Sequence, residues 1–313
     1  MITTVVKETE KLKGKDCLTL ADFSSGEIMA LLDLAQQLKV EKFSPLLMGK
    51  SLGMIFEKPS TRTRVSFEVG MTQLGGHALY LNGHDLQLGR GETISDTAKV
   101  LSRYVDAIMI RTFEQEKVES LAEAADVPVI NGLTNEFHPC QVLADLLTIR
   151  EKLGGLVGKT LVYVGDGNNM AHSLMIGAAK VGMNCIIAVP PGYEPDPRIT
   201  EKAHIIGAAS GAVIKVQNDP SVAVQTADVV YTDVWSSMGD EKQGEGLNGF
   251  APYQVNSRLL SYAEKPVLFM HCLPAHRGEE VEAEVIDGSN SIVFDQAENR
   301  LHAQKALLAA LLG

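Results

Sequence analysis

The sequence is sparing with cysteine: it has 4 in 313 residues. Cys17, Cys140, Cys185 and Cys272 lie far apart, with no Cys-x-x-Cys pair, which excludes a disulfide framework and leaves a reducing compartment as the expectation. Long apolar runs are missing as well. No stretch reaches the roughly 18 residues of a membrane span, and the opening MITTVVKETEKLKGKDC has no apolar signal-peptide core, so a soluble, cytoplasmic protein without membrane partners is expected. Positive charge is in deficit, with 28 Lys and Arg against 39 Asp and Glu and a net charge of −11. That balance argues against a sequence-independent nucleic-acid binder and against attachment to anionic lipid. Low-complexity tracts, internal repeats and blocks of like charge are absent too. What the chain does have is 45% hydrophobic and 21% charged residues, the composition of a globular protein with a large core, in a length that suggests two domains at roughly 150 residues each.

Short β-rich runs alternate with longer helical ones. In the first half the runs are SLGMIFE, ALYLNG, DAIMIR and VPVINGL; in the second they are TLVYVGD, CIIAVP, AVIKVQ, DVVYTDV, VLFMHCLP and SIVFDQ. They are continuously apolar, as in central parallel strands covered on both faces, so the fold class is α/β with two doubly wound parallel sheets. A capping box of Ser24 and Glu27 opens a helix whose apolar face carries Ile28, Leu31, Leu32, Ala35 and Leu38. A second helix runs from about Pro139 to Lys152 and stops at Gly154-Gly155. A fresh β/α series starts at Lys159, which puts the domain boundary near 150. The closing AENRLHAQKALLAALLG is helical, and its periodicity does not decide which domain it joins.

Chemistry concentrates where strands end. After a strand ending at Glu57, Pro59 precedes Ser60-Thr61-Arg62-Thr63-Arg64 at a helix start, where unpaired backbone N–H groups and the helix dipole favour an anion. Ser60 and Thr63 add hydroxyls, and Arg62 adds a planar fork for phosphate or an oxyanion. The plainer reading is a capped helix with two surface arginines. In NEFHPCQ, His138 and Gln141 stand three apart around a helix start and suit a polarised carbonyl and an amide nitrogen; a His-Pro turn is the alternative. Arg111 terminates the apolar run DAIMIR, which favours an anion in a crevice.

GKTLVYVGDGNNMAHS resembles a dinucleotide fingerprint only superficially. Its third glycine position is Met170, and the next strand ends without a ribose-binding acid, so nicotinamide binding is not expected. Asn168 and Asn169 place polar groups at that strand-to-helix turn. Asp233 ends a strand and is suited to a substrate ammonium group, and the following WSSMGDEKQGEG reads as a mobile lid. Cys272 sits at the tip of VLFMHCLP. His138, Cys140, His271, Cys272 and His276 offer metal-type donors, but their spacing fits no standard zinc pattern.

Taken in order, PSTRTRVSFE, HPCQ, Asp233 with SMG, HCLP and DQAENR are similar to the aspartate/ornithine carbamoyltransferase family over nearly the whole chain. The first two motifs mark the carbamoyl-phosphate half, while SMG and HCLP point to L-ornithine as acceptor. The resemblance implies two α/β domains joined by two helices: residues 1–150 with the C-terminal helix 296–313 for carbamoyl phosphate, and 151–295 for ornithine. It further implies transfer giving L-citrulline and phosphate within arginine metabolism, no cofactor or metal, and a homotrimer, or a multiple of trimers, with active sites at subunit interfaces. Carried over residue by residue, Ser60, Thr61, Arg62 and Thr63 hold phosphate, and Arg111 bridges phosphate and carbamoyl oxygen. His138 and Gln141 hold the carbamoyl group, with Cys272, Leu273 and Arg300 completing that pocket. Gln87 reaches the phosphate from a neighbouring subunit. Asn169, Asp233, Ser237 and Met238 take ornithine, with Asn168 as the alternative to Asn169. Carbamoyl phosphate already carries a good leaving group, so the remaining task is to orient a neutral amine and stabilise an oxyanion; Cys272 either relays the amine proton or positions the amine.

Overall fold

The computed structural model describes residues 9–88, 91–235 and 249–313. They form two compact units, Met1–Leu147 with Glu298–Gly313, and Thr148–Ala297. The helices Pro139–Leu153 and Val293–Leu312 each contain a crossing from one unit to the other.

In the first unit, β1 (Ser51–Phe56), β2 (His77–Asn82), β3 (Ala107–Arg111) and β4 (Val129–Leu133) form a parallel sheet in the order β2-β1-β3-β4. The chain steps outward from β1 to β2 and then returns to place β3 on the other side of β1. The crevice at the carboxyl ends of β1 and β3 is therefore a topological switch point, the usual ligand position in such sheets. Ile55, Ile108, Ile110, Val118, Leu121 and Val129 are buried together on this sheet.

The second unit repeats the plan. Its strands β5 (Thr160–Val164), β6 (Asn184–Ala188), β7 (Ile214–Gln217), β8 (Val229–Thr232) and β9 (Leu268–His271) are parallel in the order β7-β6-β5-β8-β9. The switch point lies between β5 and β8. Val162, Val164, Val230, Phe269, Val281 and Val293 share its core, and full burial of each such side chain stabilises by about 1.5–3 kcal/mol.

Two expectations are corrected. ALYLNG is not a covered central strand: β2 lies at a sheet edge, with Leu79 and Tyr80 exposed and Arg64 stacked over the Tyr80 ring at 3.8 Å. An apolar run reports burial in something, and among the described residues Leu79 and Tyr80 find no cover at that edge. SIVFDQ is not a strand either. Only Ser291 bridges to Phe269, and the helix begins at Val293. So short an apolar run fits a buried helix start as well as a strand.

The capping box forms as expected, with Glu27 N–H donating to Ser24 Oγ at 3.2 Å and Ser24 N–H donating to Glu27 Oε2 at 2.8 Å. The C-terminal helix docks on the first unit through Lys305, which is wholly buried. Its ammonium donates to the Leu38 and Lys42 carbonyls at 3.1 and 2.8 Å and to Gln73 Oε1 at 2.9 Å, capping the end of the helix Ser25–Val40. Gly70 permits this approach, because a Cβ there would stand 3.3 Å from Lys305 Cγ.

Candidate active site

Each unit places a polar cluster at its own switch point. In the first, Ser60 is extended and caps the helix Thr61–Gln73, accepting the Thr63 N–H at 3.2 Å. Its hydroxyl hydrogen still has freedom to point to a ligand. Thr61 is exposed, Arg62 half-buried, and Thr63 buried. Arg111 ends β3 directly beside Phe56 of β1 and is 7% exposed. Glu57, at the end of β1, is held by Thr112 and Lys117.

His138 is buried at the mouth of the helix Pro139–Leu153. Burial pushes its pKa well below the ordinary imidazole value, and the positive charges of Arg300, Arg111 and Arg62 push it further the same way. The ring is therefore neutral at pH 7 and offers one N–H donor. Arg300, Arg111 and Arg62 thus all lie near enough for their charge to act on His138. Gln141 donates from Nε2 to Asp145 Oδ1 at 2.8 Å and accepts Arg300 Nη1–H at 2.6 Å. Arg300 donates from Nη2 to Thr63 Oγ1 at 3.1 Å. Arg300 is 2% exposed and so ties the phosphate-type loop to the His138 segment from behind. Gln87 is exposed, and among the described residues no hydrogen bond joins it to this cluster.

In the second unit, Asp233 follows β8 and is 8% exposed. Its Oδ1 accepts the Val234 N–H at 2.8 Å and the Cys272 thiol at 2.9 Å, and its Oδ2 faces Asn168 Nδ2 at 3.5 Å. Asn168 Oδ1 caps the helix Asn169–Lys180 by accepting the Met170 and Ala171 N–H groups, and Tyr163 Oη donates to the same oxygen at 3.4 Å. Asn168 is thus used in holding the turn, and Asn169 opens the helix. Burial raises the Tyr163 pKa well above its ordinary value, and the negative charges of Asp233 and Asp166 add to the effect. Leu273 adopts φ 59° and is followed by a cis peptide to Pro274. Ser237 and Met238, with most of the expected lid, lie outside the described residues.

Asp233, His271 and Cys272 bring an oxygen, a nitrogen and a sulfur within 4.8 Å of one another. Both ring nitrogens of His271 are already engaged, by Leu273 N and Glu280, so a metal would have to displace one of them. Cys17 and Cys140 are both wholly buried free thiols, and the Cys140 thiol donates to the Asn131 carbonyl at 3.4 Å. Sequence reasoning missed Asp145, Tyr163 and Glu280. No motif distinguishes them, and Glu280 in particular reads as one half of a charged Glu-Glu surface doublet.

Donors aimed at an anion in one unit and a carboxylate–thiol pair in the other define a group-transfer enzyme on two doubly wound units, one that handles an anionic donor and a cationic acceptor. The chain belongs to the aspartate/ornithine carbamoyltransferase family: residues 15–151 match its carbamoyl-P binding domain and residues 157–311 its Asp/Orn binding domain. Ornithine carbamoyltransferase of Anoxybacillus flavithermus is 64% identical over 310 residues, 97% of this chain and 98% of the relative. That of Bacillus subtilis is 62% identical over 302 residues, 96% of this chain and 95% of the relative. Among solved structures, ornithine carbamoyltransferase from Pyrococcus furiosus aligns with a TM-score of 0.94 at 57% identity, covering 96% of this chain and 98% of that one.

Proposed function

We infer that this chain transfers the carbamoyl group of carbamoyl phosphate to the side-chain amine of L-ornithine, giving L-citrulline and phosphate. The observation that carries this reading is the Cys272 thiol 2.9 Å from the Asp233 carboxylate. An acidic, thiol-bearing acceptor side suits a diamine-type substrate carrying an ammonium group. Aspartate would instead need a cation for its second carboxylate.

The first unit serves carbamoyl phosphate. Ser60, Thr61, Arg62 and Thr63 hold its phosphate at a helix N-terminus, and Arg111 spans phosphate and carbamoyl oxygen. His138, kept neutral, donates its N–H to that oxygen, and Gln141 presents its amide to the carbamoyl nitrogen. Arg300 fixes both loops. The second unit serves ornithine through Asn169 and Asp233, with Ser237, Met238 and Leu273 in the roles the family resemblance gives them. An alkyl ammonium has an ordinary pKa of about 10.4, so the amine must lose a proton before it attacks. Its lone pair then forms the new C–N bond. Its remaining surplus proton leaves toward Cys272 and Asp233, and the C–O bond to phosphate breaks with the electron pair going to phosphate. No cofactor is needed for this chemistry.

A homotrimer accounts for two surface features. Gln87 is exposed, as suits a residue that serves a neighbouring subunit's phosphate site, and edge strand β2 leaves Leu79 and Tyr80 uncovered beside Val65 and Val69. Cytoplasmic arginine metabolism is the setting this reaction fits. Phosphate release and citrulline formation test the reading, with carbamoyl phosphate plus ornithine, putrescine or aspartate. Turnover is expected with ornithine, and turnover confined to another acceptor, or none at all, overturns it. A mass in solution that is not a multiple of three chains overturns the assembly.

A further inference from the structure

Beyond Cys272 and Pro274 the chain makes a tight turn over His276–Val281. Gly278 adopts φ 91° there and donates its N–H to the Val281 carbonyl at 2.8 Å. Gln254 Nε2 holds the turn from the side, donating to the Gly278 and Glu279 carbonyls at 3.0 and 2.9 Å. With the backbone fixed in this way, three side chains of the turn face one another. His276 Nδ1 lies 3.5 Å from Glu279 Oε2 and 3.9 Å from Glu280 Oε2, and one ligand-type atom from each of the three residues lies within 4.8 Å of the others.

The two oxygens of Glu280 are served unequally. Its side chain is wholly buried, and Oε1 accepts the His276 backbone N–H at 2.6 Å and faces His271 Nε2 at 3.1 Å. Oε2 is buried without a hydrogen-bond partner and is turned toward His276 Nδ1. An unsatisfied buried oxygen on a carboxylate is costly, and native proteins carry few of them. No lysine or arginine among the described residues pairs with Glu279 or Glu280, and Arg277, in the same turn, is drawn to Asp287 at 2.9 and 2.7 Å. Two carboxylates thus stand together with no fixed cation between them. The His276 and Glu279 side chains are 53% and 60% exposed, so an ion has a path to the buried oxygen.

We propose that His276 Nδ1, Glu279 Oε2 and Glu280 Oε2 bind a divalent transition-metal ion of the zinc type. An imidazole with two carboxylates is a zinc-like donor set, whereas calcium and magnesium call for oxygen alone. Donors at 2.0–2.2 Å from a tetrahedral ion stand roughly 3.3–3.6 Å apart. The His276–Glu279 spacing already meets that range, and the His276–Glu280 spacing needs only a slight closure. Water takes the fourth position. The ion gives Oε2 its missing partner and ties the exposed rim of the turn to its buried floor. It has no part in carbamoyl transfer, so this site stands or falls separately from the functional reading above.

The test uses the full chain, stripped with a chelator and dialysed against Zn²⁺ alone. The wild type is expected to retain one ion per chain that His276→Ala and Glu279→Gln lose, and Zn²⁺ is expected to raise the thermal midpoint of the wild type but of neither variant. Both substitutions change exposed side chains, so the variants fold and turn over as the wild type does. Each is expected to weaken Zn²⁺ binding by at least about 10–100-fold, the loss that follows from changing even a residue that supports a ligand. Cobalt(II) separates this site from the neighbouring Asp233–His271–Cys272 group. Nitrogen and oxygen donors give visible absorption without the near-ultraviolet thiolate-to-metal band that Cys272 would add. Affinity equal to wild type in either folded variant, cobalt bound only with the thiolate band, or no ion retained by the wild type overturns the proposal.

Discussion

The two units use one architecture for opposite electrostatics. At the first switch point the charges of Arg300, Arg111 and Arg62 all act on His138, and guanidinium groups do not titrate in the working range, so this side is a fixed positive field. At the second, Asp233 and Cys272 each follow a strand and meet at 2.9 Å, an acidic carboxylate facing a thiol. The difference teaches how a chain of net charge −11 can accommodate an anion. It gathers cations at one strand-end crevice, and carries the carboxylate–thiol pair on the other unit. In the proposed reaction the donor side then holds charge still, and the acceptor side lets a proton move.

The sharpest way to break this contrast is to remove fixed charge from the first unit. Arg62→Gln is expected to cut kcat/KM for carbamoyl phosphate by about 10³-fold, the upper range for loss of one donor to developing oxyanion charge. Carbamoyl-phosphate affinity near wild type in that variant would show that the clamp lies elsewhere. On the acceptor side, Cys272→Ser retains a hydroxyl able to reach Asp233 but changes the acidity of the group. Turnover is expected to fall by about 10²-fold, typical of a displaced proton-transfer group, with a changed dependence on pH between about 6 and 10. A pH-independent loss would assign Cys272 to positioning the amine, and unchanged turnover would remove it from the mechanism.

Much of this contrast was legible in the sequence because strand ends and helix starts are written locally. Ser60 before Thr61-Arg62-Thr63, and His138 before Pro139, announce anchored helix N-termini, and Arg111 stands out because it closes an apolar run. What stayed hidden depends on partners distant in sequence. Glu280 looks like solvent decoration until His271 is found opposite it, and nothing in the sequence links Arg300 to Gln141 and Thr63, which it bonds across 159 and 237 residues of chain. β2 misled for a related reason: its apolar residues predict a cover, but Leu79 and Tyr80 are exposed at the sheet edge. Asn168 and Asn169 read alike in the sequence, and the role of Asn168 as a helix cap facing Asp233 shows only in the structure.

Stability offers a smaller test of how the donor side is assembled. Lys305→Met keeps an apolar stem of similar length but leaves the Leu38 and Lys42 carbonyls and Gln73 Oε1 without their buried donor. A loss of about 2–3 kcal/mol in unfolding free energy is expected by denaturant titration, from the cost of unsatisfied buried acceptors. Arg300 rides on the same helix, so carbamoyl-phosphate binding is expected to weaken along with stability, while the Asp233–Cys272 side keeps its geometry. A stability loss with donor affinity untouched would show that Arg300 holds its place without the Lys305 anchor.

The smallest effect concerns pH, and its sign follows from His138. Burial and three nearby guanidinium groups hold the folded-state imidazole neutral well below its ordinary value of 6.5. Below that value the unfolded chain takes up a proton that the folded chain refuses, so ν_U exceeds ν_N and unfolding free energy falls as pH drops. The window opens near pH 6.5 and extends down to the depressed folded pKa, with a slope of at most about 1.4 kcal/mol per pH unit for one histidine. His138→Gln keeps a neutral donor but cannot titrate, so its stability is expected to decline less steeply than wild type over that window. Buried His302, also held low, contributes the same sign and remains in the variant. Equal slopes in wild type and His138→Gln would mean that His138 does protonate in the folded state, and the donor side would then not be the non-titrating field that separates it from Asp233 and Cys272.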